Sequence, residues 1–348
     1  MEAYMHDLRH HGLVYYALQR GGSIHPITLP HELTGETGIM NPSIFVHEGR
    51  ILMNVRHVNY TLYHSEGKQF PHVWGPLQYI HPENDVTLRT HNIMCELDGN
   101  MNVIKASRIK MNLDTDPTWN FIGLEDGRLF AWEGRLYLCG VRRDCYDDKG
   151  KGRMEMCEIE YIDNEWQEVS RNPIPAPGED DTYCEKNWMP VIDMPYHFVK
   201  WCNPTEVVKY NIEERTTESV HCEHDKFYPQ FGRDLRGGTQ VFPIGDGRRM
   251  CLTHEVDLLK DVFYRKDGHY NHRVIVWDED WNIIHNTEDF HFMGTQIDYS
   301  SGYEYNIEFA TGITFIDGNV LIAYGYQDNG TYILKMSEDV FFDFVARG

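Results

Sequence analysis

Five times along this 348-residue chain a polar start leads into a short apolar strand, a tight turn and a second strand that ends in polar groups, at residues 41–60, 123–144, 185–204, 237–257 and 308–328. The turns carry Gly or Asp-Gly, as in His47-Glu48-Gly49, Gly245-Asp246-Gly247 and Asp317-Gly318, which is the chemistry of β-hairpins. Further strand-like runs follow most copies, such as 154–161 and 273–277. Four strands per unit make a propeller blade. The copies begin near residues 41, 123, 185, 236 and 306, a spacing of roughly 50 to 80 residues that suits blades with variable outer loops. The expected fold is all-β: a five-bladed β-propeller, with four-stranded antiparallel blades around a central funnel, forming one domain over residues 1–348. Residues 1–40 are an N-terminal extension, in which Leu13-Val14-Tyr15-Tyr16-Ala17-Leu18 reads as a strand able to close the C-terminal sheet. An irregular pair of β-sandwiches explains the strands but not the recurring polar ends.

Composition agrees with many short strands and tight turns: 13% of residues are aromatic, with 29 Gly and 15 Pro. Thirty-two basic against 54 acidic residues leave a net charge of -22, which disfavours nucleic acid and anionic membrane as partners. No run approaches the roughly 18 apolar residues of a membrane span. The eight Cys include no C-x-x-C pair, and the start Met1-Glu2-Ala3-Tyr4-Met5-His6-Asp7 does not read as a signal peptide. Reduced thiols in a cytoplasmic location are expected, and homo-oligomerisation is left open.

In a propeller the start of each inner strand and the end of the second strand lie at one end of the blade, so the polar groups collect at one mouth. That mouth should gather Asn41, Arg56, Asn59, Glu125, Asp126, Arg128, Arg142, Arg143, Asp144, Lys186, Asn187, Gln240, His254, Glu255, Glu308, Tyr324 and Asp328, with Trp188 and Trp201 nearby. Acids, bases, amides and aromatic faces together suit a sugar, whose hydroxyls take bidentate partners and whose rings stack on aromatic faces.

At these residues the sequence resembles a known group. Gly-Leu-Glu-Asp-Gly-Arg-Leu-Phe at 123–130 is similar to the Glu-Asp-Pro-Arg signature of glycoside hydrolase family 130, five-bladed propellers comprising mannoside phosphorylases and hydrolases with related nucleotide-sugar-dependent mannosyltransferases. Gly237-Gly238-Thr239 with His254, and Phe309-Ala310-Thr311-Gly312-Ile313 with Tyr324-Gly325 and Asp328, match later blades similarly. The resemblance implies that Asp126 is the catalytic acid/base and Arg128 the arginine of the same motif. It also implies that Arg142, Arg143 and Lys186 lie about where phosphorylases hold phosphate. Gly127 stands where the family has proline, and Glu185-Lys186-Asn187-Trp188 replaces a small, proline-rich stretch. The second departure makes a transferase compatible with the motifs.

Each signal has a structural counterpart. Glu125 and Asp126 could pair with Arg128 and Arg143 in a salt-bridged turn, and Arg142, Arg143 and Lys186 could balance neighbouring acids. Trp188 and Trp201 could be inter-blade packing, and His254 a satisfied core histidine. Arg56 and Asn59 could bind a hydroxyl or a phosphate. His221-Cys222-Glu223-His224-Asp225 fits no standard zinc spacing, so no metal is expected, and His6, His10 and His11 read as a terminal segment. No dinucleotide, P-loop or serine-hydrolase motif occurs. The expected function is cleavage or transfer of a glycosyl unit, most simply mannosyl, by a glycoside phosphorylase- or hydrolase-like enzyme using Asp126, without a cofactor but with inorganic phosphate or a nucleotide sugar as co-substrate. A nucleotide-sugar-dependent glycosyltransferase is the alternative, and a non-catalytic glycan-binding propeller the further one.

Overall fold

Each of the five repeats forms a separate antiparallel sheet, seen in a computed structural model that describes residues 12–35, 37–64, 77–80, 87–178, 184–222, 235–260, 266–293, 296–298, 303–305 and 307–347. From the axis outward, blade one consists of Ile39–His47, Arg50–Val58, Leu88–Leu97 and Val103–Arg108. Blade two consists of Glu125–Trp132, Arg135–Arg142, Arg153–Ile162 and Glu165–Ile174, and blade three of Met189–Pro190, His197–Cys202, Thr205–Asn211 and Thr216–Cys222. In blade four, Leu235–Gly237 and Phe242–Gly245 both pair with Arg248–Lys260, followed by Lys266–Trp277 and Ile283–Asn286. Blade five is Glu308–Ile316, Asn319–Tyr326 and Gly330–Ser337.

The ring is closed by Ser23–Pro26, which adds to blade five antiparallel to Gly330–Ser337, with Ser23 opposite Lys335. The closing strand therefore lies ten residues after the one expected. Residues 12–18 are helical. Leu13, Val14, Tyr16 and Ala17 are buried while Tyr15 and Leu18 are exposed, a helical stripe too short to stand out among β-favouring residues. Tyr16 packs on Phe344 and donates to Asp343 of the C-terminal helix Glu338–Arg347, so tertiary contacts decide its conformation.

The core lies between blades. Phe45 and Leu52 of blade one pack with Leu129 and Leu138 of blade two, and Ile44 and Val55 with Leu321 and Ala323 of blade five. Val199 and Val207 of blade three meet Cys251 and Ile275 of blade four, whose Leu252 and Val274 meet Ile313 and Ile322 of blade five. Each Val, Leu, Ile or Phe among them contributes about 1.5–3 kcal/mol by leaving water. Because both faces of a blade are covered, second strands such as Arg50–Val58 are buried almost throughout and show little polar alternation.

Gln240 fastens the axis. Its amide donates to Ser43 Oγ and the carbonyls of Ile44 and Leu129, and its oxygen accepts the Ile313 N–H, so blade four is tied to blades one, two and five. All eight cysteines are free thiols. No helix among the described residues is long and apolar enough to cross a membrane.

Candidate active site

The inner strands do not start regularly. In blade one the register slips between Met40 and Ser43, and in blade two opposite Cys139 and Val141, so each strand carries a bulge at its mouth end. Asn41 and Asp126 occupy these bulges with φ of 46° and 53°, and Asn187 takes φ 64° just before the inner strand of blade three. Bulges re-aim side chains beside functional sites, and Asn and Asp tolerate the left-handed backbone better than most residues. Gly140, opposite the blade-two bulge, has no room for a side chain: a Cβ there would lie 2.3 Å from the Glu125 carbonyl oxygen.

The Asp126 carboxylate is held by two side chains of blade one. Its Oδ1 accepts from Asn41 Nδ2 and from Arg56 Nη1, both at 2.8 Å, while Arg56 Nη2 reaches Glu125 Oε2 at 3.2 Å. Arg128 is fully buried; it donates to the Asp126 carbonyl at 2.9 Å, to Gly238 O at 2.9 Å and to Asn187 Oδ1 at 3.3 Å. It therefore positions the Asp126 backbone against blades three and four. Burial would raise the Asp126 pKa, but Arg56, Arg128 and the two hydrogen bonds outweigh it and hold the carboxyl below the usual range. Gly127, where a proline was the comparison, is held through its carbonyl by Asn54 Nδ2 at 3.1 Å.

Asp328, in the turn after the second strand of blade five, is within electrostatic reach of Arg56 and Asp126. Burial pushes its carboxyl up to about 6; Arg56 opposes the rise and Asp126 adds to it. Two carboxyl groups near one arginine thus titrate apart: below about pH 6 Asp328 is largely protonated while Asp126 stays ionised.

Beside this acidic group stands a cationic one. Arg143 reaches Glu125 Oε1 at 3.7 Å and donates to Gly150 O and Cys184 Sγ. Lys186 feels Arg236, Arg143 and Asp126; enclosure in the mouth, then Arg236, lowers its pKa. His254 is buried, with Nδ1 lacking a hydrogen-bond partner and its ring close to Phe309. Burial first, then His272 and Arg236, keep it neutral. Arg236 and Cys184 were absent from the sequence-derived set. Arg236 immediately precedes Gly237-Gly238 and Cys184 precedes Glu185-Lys186, so extending each frame one residue earlier finds both.

The structure brings together Asn41, Arg56, Glu125, Asp126, Arg128, Arg143, Lys186, Asn187, His254 and Asp328. It corrects the placement of others, whose polar atoms are spent internally or whose rings are enclosed. Arg142 is buried in pairs with Asp144 at 2.7 Å and Asp114 at 2.6 Å, and Asp144 Oδ2 accepts the Gly123 N–H; this pair braces the segment leading to Asp126. Asn59 bonds the backbone at Thr87 and Arg89. Glu308 accepts the N–H groups of Phe292 and Met293. Trp188 is fully buried with its indole N–H on Glu185, Tyr324 is fully buried and stacked on Phe292, and Gln240 is the axial tie. Residues 223–225 of the His/Cys cluster, and His6, His10 and His11, lie outside the described residues.

No family profile and no curated protein matches this sequence. Solved structures do match in fold. A chain from work on the glycoside hydrolase family 130 of mannoside phosphorylases, which includes hydrolases of β-1,2 mannosidic linkages in Candida mannan, superposes with a TM-score of 0.55 at 13% identity, covering 87% of this chain and 85% of that one. MPT-1, a GDP-Man-dependent mannosyltransferase from Leishmania mexicana, gives 0.52 at 14% identity, covering 90% and 89%. MPT-4, a mannose phosphorylase from the same organism in complex with phosphate, gives 0.50 at 12% identity, covering 95% and 93%. The fold is the five-bladed propeller these proteins share.

Proposed function

We propose that this protein is a carbohydrate-active enzyme that moves a mannosyl unit between a phosphate-bearing donor and a sugar hydroxyl. The observation that carries this reading is the opposition, in one mouth, of the anchored Asp126 carboxylate to a cationic group of Arg143, Lys186 and Arg236. A phosphoryl group suits arginine and lysine donors. Asp126 is ionised in the free protein, so it serves as the base that takes the proton of the acceptor hydroxyl. The acceptor oxygen then bonds to the anomeric carbon while the bond to the phosphate oxygen breaks and the phosphate leaves with its electron pair. Phosphorolysis is the reverse, with Asp126 returning the proton as acid. Arg56, Asn41 and Arg128 orient that carboxylate. The mannosyl preference rests on the similarity to mannose-processing propellers.

A second reading has its own observation: one ionised carboxyl and one titrating at about 6 is the division of labour found in glycoside hydrolysis. Incubation with GDP-mannose or mannose 1-phosphate plus mannose, against mannobiose in 18O-labelled water with and without phosphate, separates the two. A disaccharide formed with phosphate or GDP release supports transfer. Sugar labelled with 18O, made without phosphate, replaces it with hydrolysis. Saturable glycan binding with no product in any mixture rules out both.

A further inference from the structure

A second concave site lies on the mouth end of blade three, outside the central cluster. Its cavity of about 640 Å3 is lined by Trp201, Lys200, Asn203 and Glu206 at one strand turn, by Ser219 of the outer strand and by Pro177 of the link from blade two. That volume lies in the range of about 300–1,000 Å3 typical of small-molecule sites. The strand is bulged here: Val199 pairs with Val207 and Trp201 with Glu206, leaving Lys200 as the extra residue. The bulge turns the Trp201 ring outward, 43% exposed, and sends Lys200 inward, 7% exposed.

Lys200 Nζ stands 3.7 Å from Glu206 Oε2 and 3.9 Å from Glu185 Oε1. The carboxylate of Glu206 lines the cavity itself, an acidic edge that opposes phosphate. The cationic mouth beside it does the opposite. Oxygen acceptors and an exposed indole lining one cavity match an uncharged ring with hydroxyls on its edge and C–H groups on its face. Glu185 links the two sites, because its chain neighbours Cys184 and Lys186 belong to the mouth cluster.

We propose that this pocket binds a neutral pyranose unit, as an outer subsite for a saccharide chain whose reacting end lies in the mouth. The assignment to a chain rests on the function proposed above; the affinity of the pocket for a sugar ring does not.

Incorporation of 5-fluorotryptophan gives Trp201 a 19F signal, assigned by its loss in Trp201→Phe. Manno-, gluco- and galacto-configured di- and trisaccharides are titrated against it, with inorganic phosphate as the charged control. At least one saccharide should shift the signal saturably, more tightly as trisaccharide than as disaccharide, and phosphate should not. Isothermal titration calorimetry, which does not need the fluorine reporter, should show Trp201→Ala binding that saccharide about tenfold more weakly, the effect of losing one ring-stacking contact, with an unchanged melting temperature because the side chain is exposed. The titration should persist in Asp126→Asn, so the pocket stands even if the proposed reaction fails. A signal unmoved by every saccharide, or moved by phosphate alone, overturns the assignment.

Discussion

Asn41 and Asp126 occupy matching positions in adjacent blades, both in left-handed backbone, and the amide of the first donates to Oδ1 of the second over 2.8 Å. The repeat thus supplies both the carboxylate and one of its anchors. Arg56, at the end of the neighbouring second strand, supplies the other at 2.8 Å.

Asp126→Asn keeps the shape of this arrangement and removes its charge. Turnover should fall about 10²–10⁴-fold, the usual contribution of a positioned acid or base. Arg56 would lose its closest charge partner while remaining buried, at a cost of about 1–3 kcal/mol. Single-turnover kinetics and urea unfolding on the same sample read both. Wild-type turnover in the variant would remove Asp126 from the chemistry.

The Asp126 bulge depends on Gly140. A methyl there would meet the Glu125 carbonyl oxygen at 2.3 Å, whereas one at Gly134, in the exposed turn of the same hairpin, meets nothing within 4 Å. Gly140→Ala should cost more than about 2 kcal/mol and impair turnover through the displaced carboxylate. Gly134→Ala should cost about 1 kcal/mol, from its φ of 78° alone. Equal losses on chemical denaturation would show that the bulge is not constrained as described.

The five blade starts were legible because a polar start and a tight turn, with Gly in four of the five, recur whatever the outer loops do; the same frame put Asp126 and Arg56 at one end, where the two side chains meet. Leu13–Leu18 was misread because six residues cannot separate a helical from a strand period when Phe344 and Asp343, more than 300 positions away, decide the outcome. Arg142 and Gln240 show a second limit. A residue's place at the mouth end follows from strand order, but whether its side chain faces the funnel or a neighbouring blade depends on partners such as Asp114 and Ser43, which no local pattern reveals.

His57 and His91 stack at 5.8 Å in blade one, and His57 Nε2 meets Thr37 Oγ1 and Thr34 O. Burial, then for His91 the nearby Arg108, takes both imidazoles down to about 4. The unfolded chain takes up these protons first, near 6.5, so stability should be lost as pH falls from about 6.5 towards 4 and level off below. Between pH 7 and pH 5 the wild type should lose about 2 kcal/mol more than His91→Gln. Parallel pH profiles of the urea midpoint for the two proteins would contradict the assignment.

Lys186 and Arg236 come from blades three and four and face the same space. If they hold a phosphoryl group, phosphate should raise the melting temperature of the wild type, because a ligand specific to the folded state stabilises it. Lys186→Ala and Arg236→Ala should each weaken that effect about tenfold in concentration, with KM for the donor rising more than kcat falls. A thermal shift that survives both substitutions would place the anion elsewhere.

Asp328 offers the sharpest test, because its two consequences run on one titration. Its folded pKa of about 6 lies above the unfolded value of 3.8, so the folded state prefers the protonated form. Stability should decline as pH rises from about 4 through 6 and then level off, a loss of about 1–3 kcal/mol that Asp328→Asn removes. In the site, ionisation sets a second negative charge beside Asp126 and opposes an anionic donor. kcat/KM for mannose 1-phosphate should therefore fall as pH rises through about 6 in the wild type, with no such inflection in Asp328→Asn. A fall that persists in the variant would assign the titration to another group. A rate that rises through the same pH would mean that the ionised Asp328 is the working form, as a hydrolytic base would require.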